Sequence, residues 1–168
     1  MAKIQIKAGN EYLAKISKLS ALAQDRVCGR SIYAGAAVVA DAVREEIQAL
    51  PTAEHEGKPW FGTAEHPARG PSPAQKKGLL DSLGVTPMAD DGKGFLNVKI
   101  GFDGYNSEKN KLWPKGQPNQ MVARSVERGT TFMKENPFMK TAVSKARKRA
   151  KAAMVKAAER EIETIMKG

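Results

Sequence analysis

The residues best equipped for chemistry are few and lie close together. Thr-Ala-Glu-His occurs twice, at 52–55 and 63–66, so both histidines of the chain, His55 and His66, stand near three carboxylates, Glu54, Glu56 and Glu65. Imidazole and carboxylate together can hold a divalent transition metal. The spacing argues against it. The histidines are not four apart on a helix, and no cysteine is near to complete a tetrahedral set. A solvated loop is the better reading, and no metal ligand, cofactor or catalytic residue is assigned. Asp90-Asp91-Gly92 has the acidic start of a calcium loop, but the carboxylates stop there and the closing glutamate is absent. Cys28, the single cysteine, can form no internal disulfide, which fits a reducing compartment. Its place in a helical segment predicts a buried, inert thiol. There is no Gly-rich phosphate loop ahead of a helix, and no Ser/His/Asp or Cys/His set with working spacing. These residues point away from an enzyme.

Charge is the next resource. The 168 residues carry 28 Lys and Arg against 18 Asp and Glu, a net charge of +10. The excess is uneven: residues 137–168 contribute +6, 95–136 contribute +3, 1–50 contribute +2 and 51–94 contribute −1. An anionic partner is implied, and the last segment is where it would be met. Between Lys140 and Lys156 stand seven basic residues and no acidic one, while Glu159, Glu161 and Glu163 follow. A helix dipole favours the opposite order, so helix stability does not account for the pattern. Lys145, Lys148, Arg149 and Lys151 are therefore candidates to meet neighbouring subunits or DNA phosphates, against the plainer reading of a solvated face. With 41% hydrophobic residues and a mean hydropathy of −0.47, the chain reads as a water-soluble single domain over 1–168. No apolar run approaches the ~20 residues of a membrane span, and the start, Met1 to Lys7, lacks an apolar signal core. No membrane partner is expected.

Periodicity predicts the elements that position these groups. Lys3-Ile4-Gln5-Ile6-Lys7 alternates like a short edge strand. Asn10 caps a helix near 10–23 with Leu13, Ile16, Leu19 and Leu22 on one face. A second helix near 25–49 turns Ile32, Ala36, Val39, Val43, Ile47 and Leu50 inward before Pro51 stops it. Gly29 and Gly35 predict a bend or the close approach of another helix. From Pro51 to Gly78 the pattern collapses, with five of the nine prolines between 51 and 73. The stretch 51–78 is expected to be a mobile loop without a packed element. Trp60 and Phe61, its apolar feature, are candidates to dock on the domain or on a neighbouring subunit. A helical turn over 75–83 precedes the sheet. Phe95 to Phe102 is the strongest strand, with Leu96, Val98, Ile100 and Phe102 on one face, pairing with 85–88 across an Asp90–Gly94 turn. Residues 104–118 form a further loop. A last helix from Pro137 to Lys167, roughly 45 Å long, carries a seam of Met139, Val143, Ala146, Ala150, Met154 and Ala157. The fold class is α+β: two N-terminal helices, a small antiparallel β-sheet and a long C-terminal helix.

A corner precedes that last helix. Pro118-Asn119 opens a helix with Val122 and Val126 on one face, and Gly129 stands where its end needs a left-handed residue. Asn136-Pro137 reads as N-cap and first helical residue. Between them Thr130 to Met133 make a short tether with one large apolar anchor, Phe132. Glu127 is read as the acceptor that fixes the Gly129 turn, not as a general base. Glu127, Gly129 and Phe138 join the interaction candidates. Glu127-x-Gly-Thr130-x-x-Met133, followed by Asn136-Pro-Phe138, resembles the Glu-x-Gly-Thr…Pro-Phe signature of small neck or tail-completion proteins of long-tailed bacteriophages. Ile32-Tyr-Ala-Gly-Ala36, Gly78-Leu-Leu-Asp-Ser-Leu-Gly84, Asn97-Val-Lys-Ile-Gly-Phe-Asp-Gly-Tyr-Asn106 and Pro114-Lys-Gly-Gln-Pro-Asn-Gln-Met-Val-Ala-Arg-Ser125 extend the likeness over most of the chain. Thr141-Ala142 departs from the Pro-Ala expected after Pro-Phe. The resemblance implies a non-enzymatic virion protein of the neck, built as a ring homo-oligomer around the DNA path. Its neighbours would be the head-stopper and tail-terminator proteins, with non-specific DNA contact in the lumen. It would be found in the virion and, during assembly, in the bacterial host cytoplasm. Two rivals stand beside it: a basic nucleic-acid-binding module, argued from charge, and a small metal-dependent hydrolase, argued from the His loop.

Overall fold

A computed structural model describes Ser17, Ser20 and residues 23–90 and 96–167. The strand expected at 3–7, most of the helix expected near 10–23 and the Asp90–Gly94 turn beyond Asp90 lie outside the described residues; Ser17 and Ser20 themselves are helical. The molecule is a mixed α+β protein organised by its two longest helices.

A π-helical turn, Ala23–Cys28, leads into α1, Gly29–Ala49. Leu50 adopts the extended conformation that a following proline imposes, and α1 ends there. The last helix, α4, spans Phe138–Lys167. It runs antiparallel to α1. Arg30 at the start of α1 meets Glu161, the Ser31 hydroxyl donates to the Met154 carbonyl at 2.9 Å, and Glu46 near the end of α1 meets Lys145. The two helices come close. A Cβ built on Gly35 would lie 2.6 Å from Met154 Cγ. The buried positions in the first half of α4 after Phe138 are small and four apart (Ala142, Ala146, Ala150), and Glu161 and Ile165 are buried further on. The expected seam is thus turned by about one residue at its start. Val143 is 48% exposed, while Ala142 is fully buried. Fit to a glycine- and alanine-bearing partner, not side-chain hydropathy, chose the face.

The shorter elements close over one end of this pair. Helix α2, Pro73–Ser82, lays the buried Leu79 on the core, and α3, Asn119–Arg128, adds Val122 and Val126. With Val43, Ile47 and Leu50 of α1 and Phe138 of α4 they form one cluster. Each such side chain, fully buried, contributes about 1.5–3 kcal/mol. Phe102 packs its ring on Phe138 at 6.1 Å and 59°. Lys76 of α2 donates to the Gln48 and Leu50 carbonyls at 2.9 and 2.8 Å, satisfying acceptors that the end of α1 leaves open.

The sheet differs from expectation. Strands β1 (Glu54–His55) and β2 (Lys58–Pro59) form one antiparallel pair. The expected long strand is divided into β5 (Leu96–Asn97) and β6 (Ile100–Phe102). β6 pairs with β3 (Leu83–Val85), matching Leu83 to Phe102, while β5 pairs with β4 (Ala89–Asp90), matching Ala89 to Asn97. The register slips by one residue between the two pairs. Pro87, which has no N–H to give, lies in that gap. There are thus three two-stranded pairs among the described residues and no single sheet.

Two further expectations are corrected. The Pro/Gly-rich stretch does pack. It contains β1 and β2, buries Ala53, Ala68, Pro71 and Ser72, and begins α2 at Pro73. Ser72 and Gln75 close a reciprocal capping box at that start, with bonds of 2.9 and 3.1 Å. The glycines there serve close approach: a Cβ on Gly62 would sit 2.0 Å from the Phe132 carbonyl oxygen. Cys28, expected to be buried, is a free and exposed thiol at the end of the π-helical turn.

Candidate functional site

Glu127 is placed by the last turn of α3 and reaches across the corner. Its carboxylate accepts from the backbone N–H of Met139 at 2.8 Å and of Lys140 at 3.0 Å. These are two of the orphan donors at the start of α4, so Glu127 caps the next helix and does not serve the Gly129 turn. The Asn136 side chain is not that cap. Its amide donates to the Arg69 and Lys134 carbonyls at 2.9 and 3.1 Å. Gly129 has the positive φ expected, 69°, but its ψ of 170° is extended, a region open only to glycine. Phe138 is buried in the core. The structure therefore gives these three candidates inward, positioning roles.

What the corner positions is Phe132. Thr130 and Met133 pair through both backbone bonds, at 2.8 and 3.2 Å, and the Phe132 N–H donates to the Thr130 hydroxyl at 3.2 Å. The tip of this turn is held from outside. Ala68 N–H donates to the Phe132 carbonyl at 2.9 Å and its own carbonyl accepts from Lys134 at 2.8 Å. The same contact brings Phe61 alongside. Phe61 is 59% exposed and Phe132 56%. With Trp60, Met121, Val122 and Met133 they line an open groove of about 150 Å³. Gln75 donates to Gln117 at 2.6 Å in the same wall, so the groove joins an apolar rim to an amide pair. Trp60 and Phe61 stand out in the sequence as the apolar feature of their stretch, and both line the groove. Met121, on α3 between Gln120 and the buried Val122, has no sequence pattern that marks it as part of a groove.

The basic candidates divide. Lys145 pairs with Glu46 of α1 at 2.5 Å. Lys148, Arg149 and Lys151 are exposed and, among the described residues, make no ion pair; the same holds for Arg147 and Lys156. Glu161, unremarked among the acids that follow, has a side chain only 6% exposed and faces Arg30 at 2.7 Å and Arg26 at 3.5 Å. Nothing in the sequence marks a glutamate in a basic helix as buried.

His55 tilts its ring on Trp60 at 5.6 Å, and its Nε2 lies 3.5 Å from the Glu56 carboxylate. It shares a shallow depression of about 280 Å³ with His66 and Glu54. Among the described residues no three His, Cys, Asp or Glu side chains gather closely enough to hold a metal ion. No helix among them is long and apolar enough to cross a membrane. Comparison with protein-family models, with curated proteins and with solved structures finds no match.

Proposed function

We propose that the chain is a non-enzymatic structural part of a phage neck. It acts in head–tail joining or tail completion, as one copy in a ring homo-oligomer around the DNA path. Its neighbours in the virion are then the head-stopper and tail-terminator proteins, and it reaches them from the host cytoplasm during assembly. One observation carries the reading. The residues of the Glu-x-Gly-Thr…Pro-Phe stretch are occupied in building a rigid corner, and that corner holds Phe132 out beside Phe61 at an apolar groove. Large apolar side chains held outward by a hydrogen-bonded turn suit a protein that meets another protein.

The exposed basic run of α4, Lys148, Arg149 and Lys151, is the second surface, turned to a neighbouring subunit or to DNA in the lumen. Reversing these three charges in a phage that encodes the chain should leave the protein folded, since exposed charges contribute at most ~1 kcal/mol each. Replacing Phe61 and Phe132 by serine should do the same. In both cases the expected result is DNA-filled heads and separate tails with few joined particles. Joined, infectious particles at normal yield from both variants would refute the reading. The rival, a basic nucleic-acid-binding module, is favoured by the absence of ion pairs along this run among the described residues. It requires steeply salt-dependent binding of DNA by the isolated monomer and normal virion morphology in the charge-reversed variant.

A further inference from the structure

We propose that the pocket between the start of α1 and the end of α4 is a phosphate-binding site. Among the described residues Arg26, Arg30, Lys156 and Arg160 line this open pocket of about 600 Å³, and Glu161 is the one carboxylate there. Arg26 and Arg30 are four apart on one helical run, and Lys156 and Arg160 are four apart on the facing one. Like charges at that spacing repel, and an anion entering between them would relieve the repulsion. Glu161 cannot neutralise the set. It is a single negative charge against four positive ones, and Lys156 and Arg160 make no ion pair among the described residues.

Glu161 has a different part. Its carboxylate is almost wholly buried and meets Arg30 at 2.7 Å through one oxygen and Arg26 at 3.5 Å through the other. The second contact is too long for a hydrogen bond, and that oxygen has no other partner among the described residues. The carboxylate holds both guanidinium groups, which make no other ion pair among the described residues. It is a positioning residue. Ala153 and Ala157 add small side chains to the same lining. Guanidinium forks held in place, with an ammonium beside them, match the oxygens of a phosphate better than those of a single carboxylate. The phosphate can belong to a nucleic-acid backbone or to a small phosphorylated molecule. The inference does not rest on the neck reading.

The test uses the purified full chain and pyrophosphate, titrated calorimetrically in chloride buffer. Saturable binding is expected, weakened roughly tenfold by Arg30→Gln and by Arg160→Gln, since each removes a charge-assisted contact. Lys115→Gln, the same charge change at an exposed site outside the pocket, should alter it less than about twofold. Glu161→Gln separates positioning from bulk charge. It makes the pocket more positive, so diffuse attraction predicts tighter binding, whereas a built site predicts weaker binding. Thermal melts establish that each variant is folded; if Glu161→Gln is not, the two arginine variants and the Lys115 control decide. No saturable binding, equal losses from Lys115→Gln, or tighter binding by folded Glu161→Gln would overturn the proposal. A short DNA duplex identifies the source: a lower salt slope in the arginine variants assigns backbone phosphate, and an unchanged slope assigns a small phosphate.

Discussion

Removing the Glu127 carboxylate is the sharpest test of how the corner is held. Glu127→Ala deletes two charge-assisted bonds, to Met139 N at 2.8 Å and Lys140 N at 3.0 Å, and leaves two donors at the start of a 30-residue helix to water. Loss of a helix cap costs about 0.5–2 kcal/mol. The favourable meeting of a carboxylate with the helix N-terminus adds about 0.3–1 kcal/mol. Glu127 is only partly buried, so water recovers some of this, and a net loss of about 2 kcal/mol is expected. In a domain of this size that lowers Tm by about 4–8 °C. Glu127→Gln keeps one acceptor and loses the charge, so its cost should be about half. Arg128→Ala, at an exposed neighbour, should stay within about 0.5 kcal/mol. Urea unfolding followed by far-UV circular dichroism reads all three, provided the slopes agree. If Glu127→Ala and Arg128→Ala are indistinguishable, the carboxylate does not hold the helix start and the account of the corner is wrong.

Gly129→Val should cost about 1–3 kcal/mol in the same assay, because φ is +69° and a Cβ would lie 3.0 Å from Glu135 N; a neutral effect would mean the turn relaxes freely. Gly35→Leu should destabilise by about 1–3 kcal/mol by forcing α1 off Met154, and a stabilised protein would contradict the close approach. Cys28 should react with a thiol reagent at one equivalent in native buffer, and reaction only after unfolding would show the thiol to be covered. Phe61→Ser and Phe132→Ser should each leave stability within about 1 kcal/mol, since both side chains are mostly in water; a large loss would make them core residues.

The parts of this molecule that the sequence predicts are those where apolar periodicity and helix punctuation agree. Helix α1 follows its series to Pro51, and α3 carries Val122 and Val126 on its buried face. Where backbone contacts decide, the pattern says less. Proline and glycine between 51 and 78 look like disorder, yet Gly62 is there because a carbonyl lies where its side chain would be. The Ser72–Gln75 box, by contrast, was open to reading and sets the start of α2. Hydropathy alone puts the seam of α4 through Val143, but the buried position is Ala142. The second half of the groove and the burial of Glu161 depend on elements far apart in sequence, so no local pattern reports them.

The pairing of α1 with α4 has a consequence for how the chain is made. The face of α1 is finished early in synthesis, whereas its partner begins only at Phe138 and runs to Lys167. More than a hundred residues separate the end of one helix from the end of the other, so at ~5–20 residues per second α1 waits for about 6–24 s. During that interval the part of α1 that α4 covers, around Ser31 and Gly35, has no permanent partner, and the nascent chain offers it to whatever binds apolar helices at the ribosome exit. A messenger cut short before α4 would yield a product with its principal seam open. Quality control would meet a sticky half-helix pair, not a smaller folded domain.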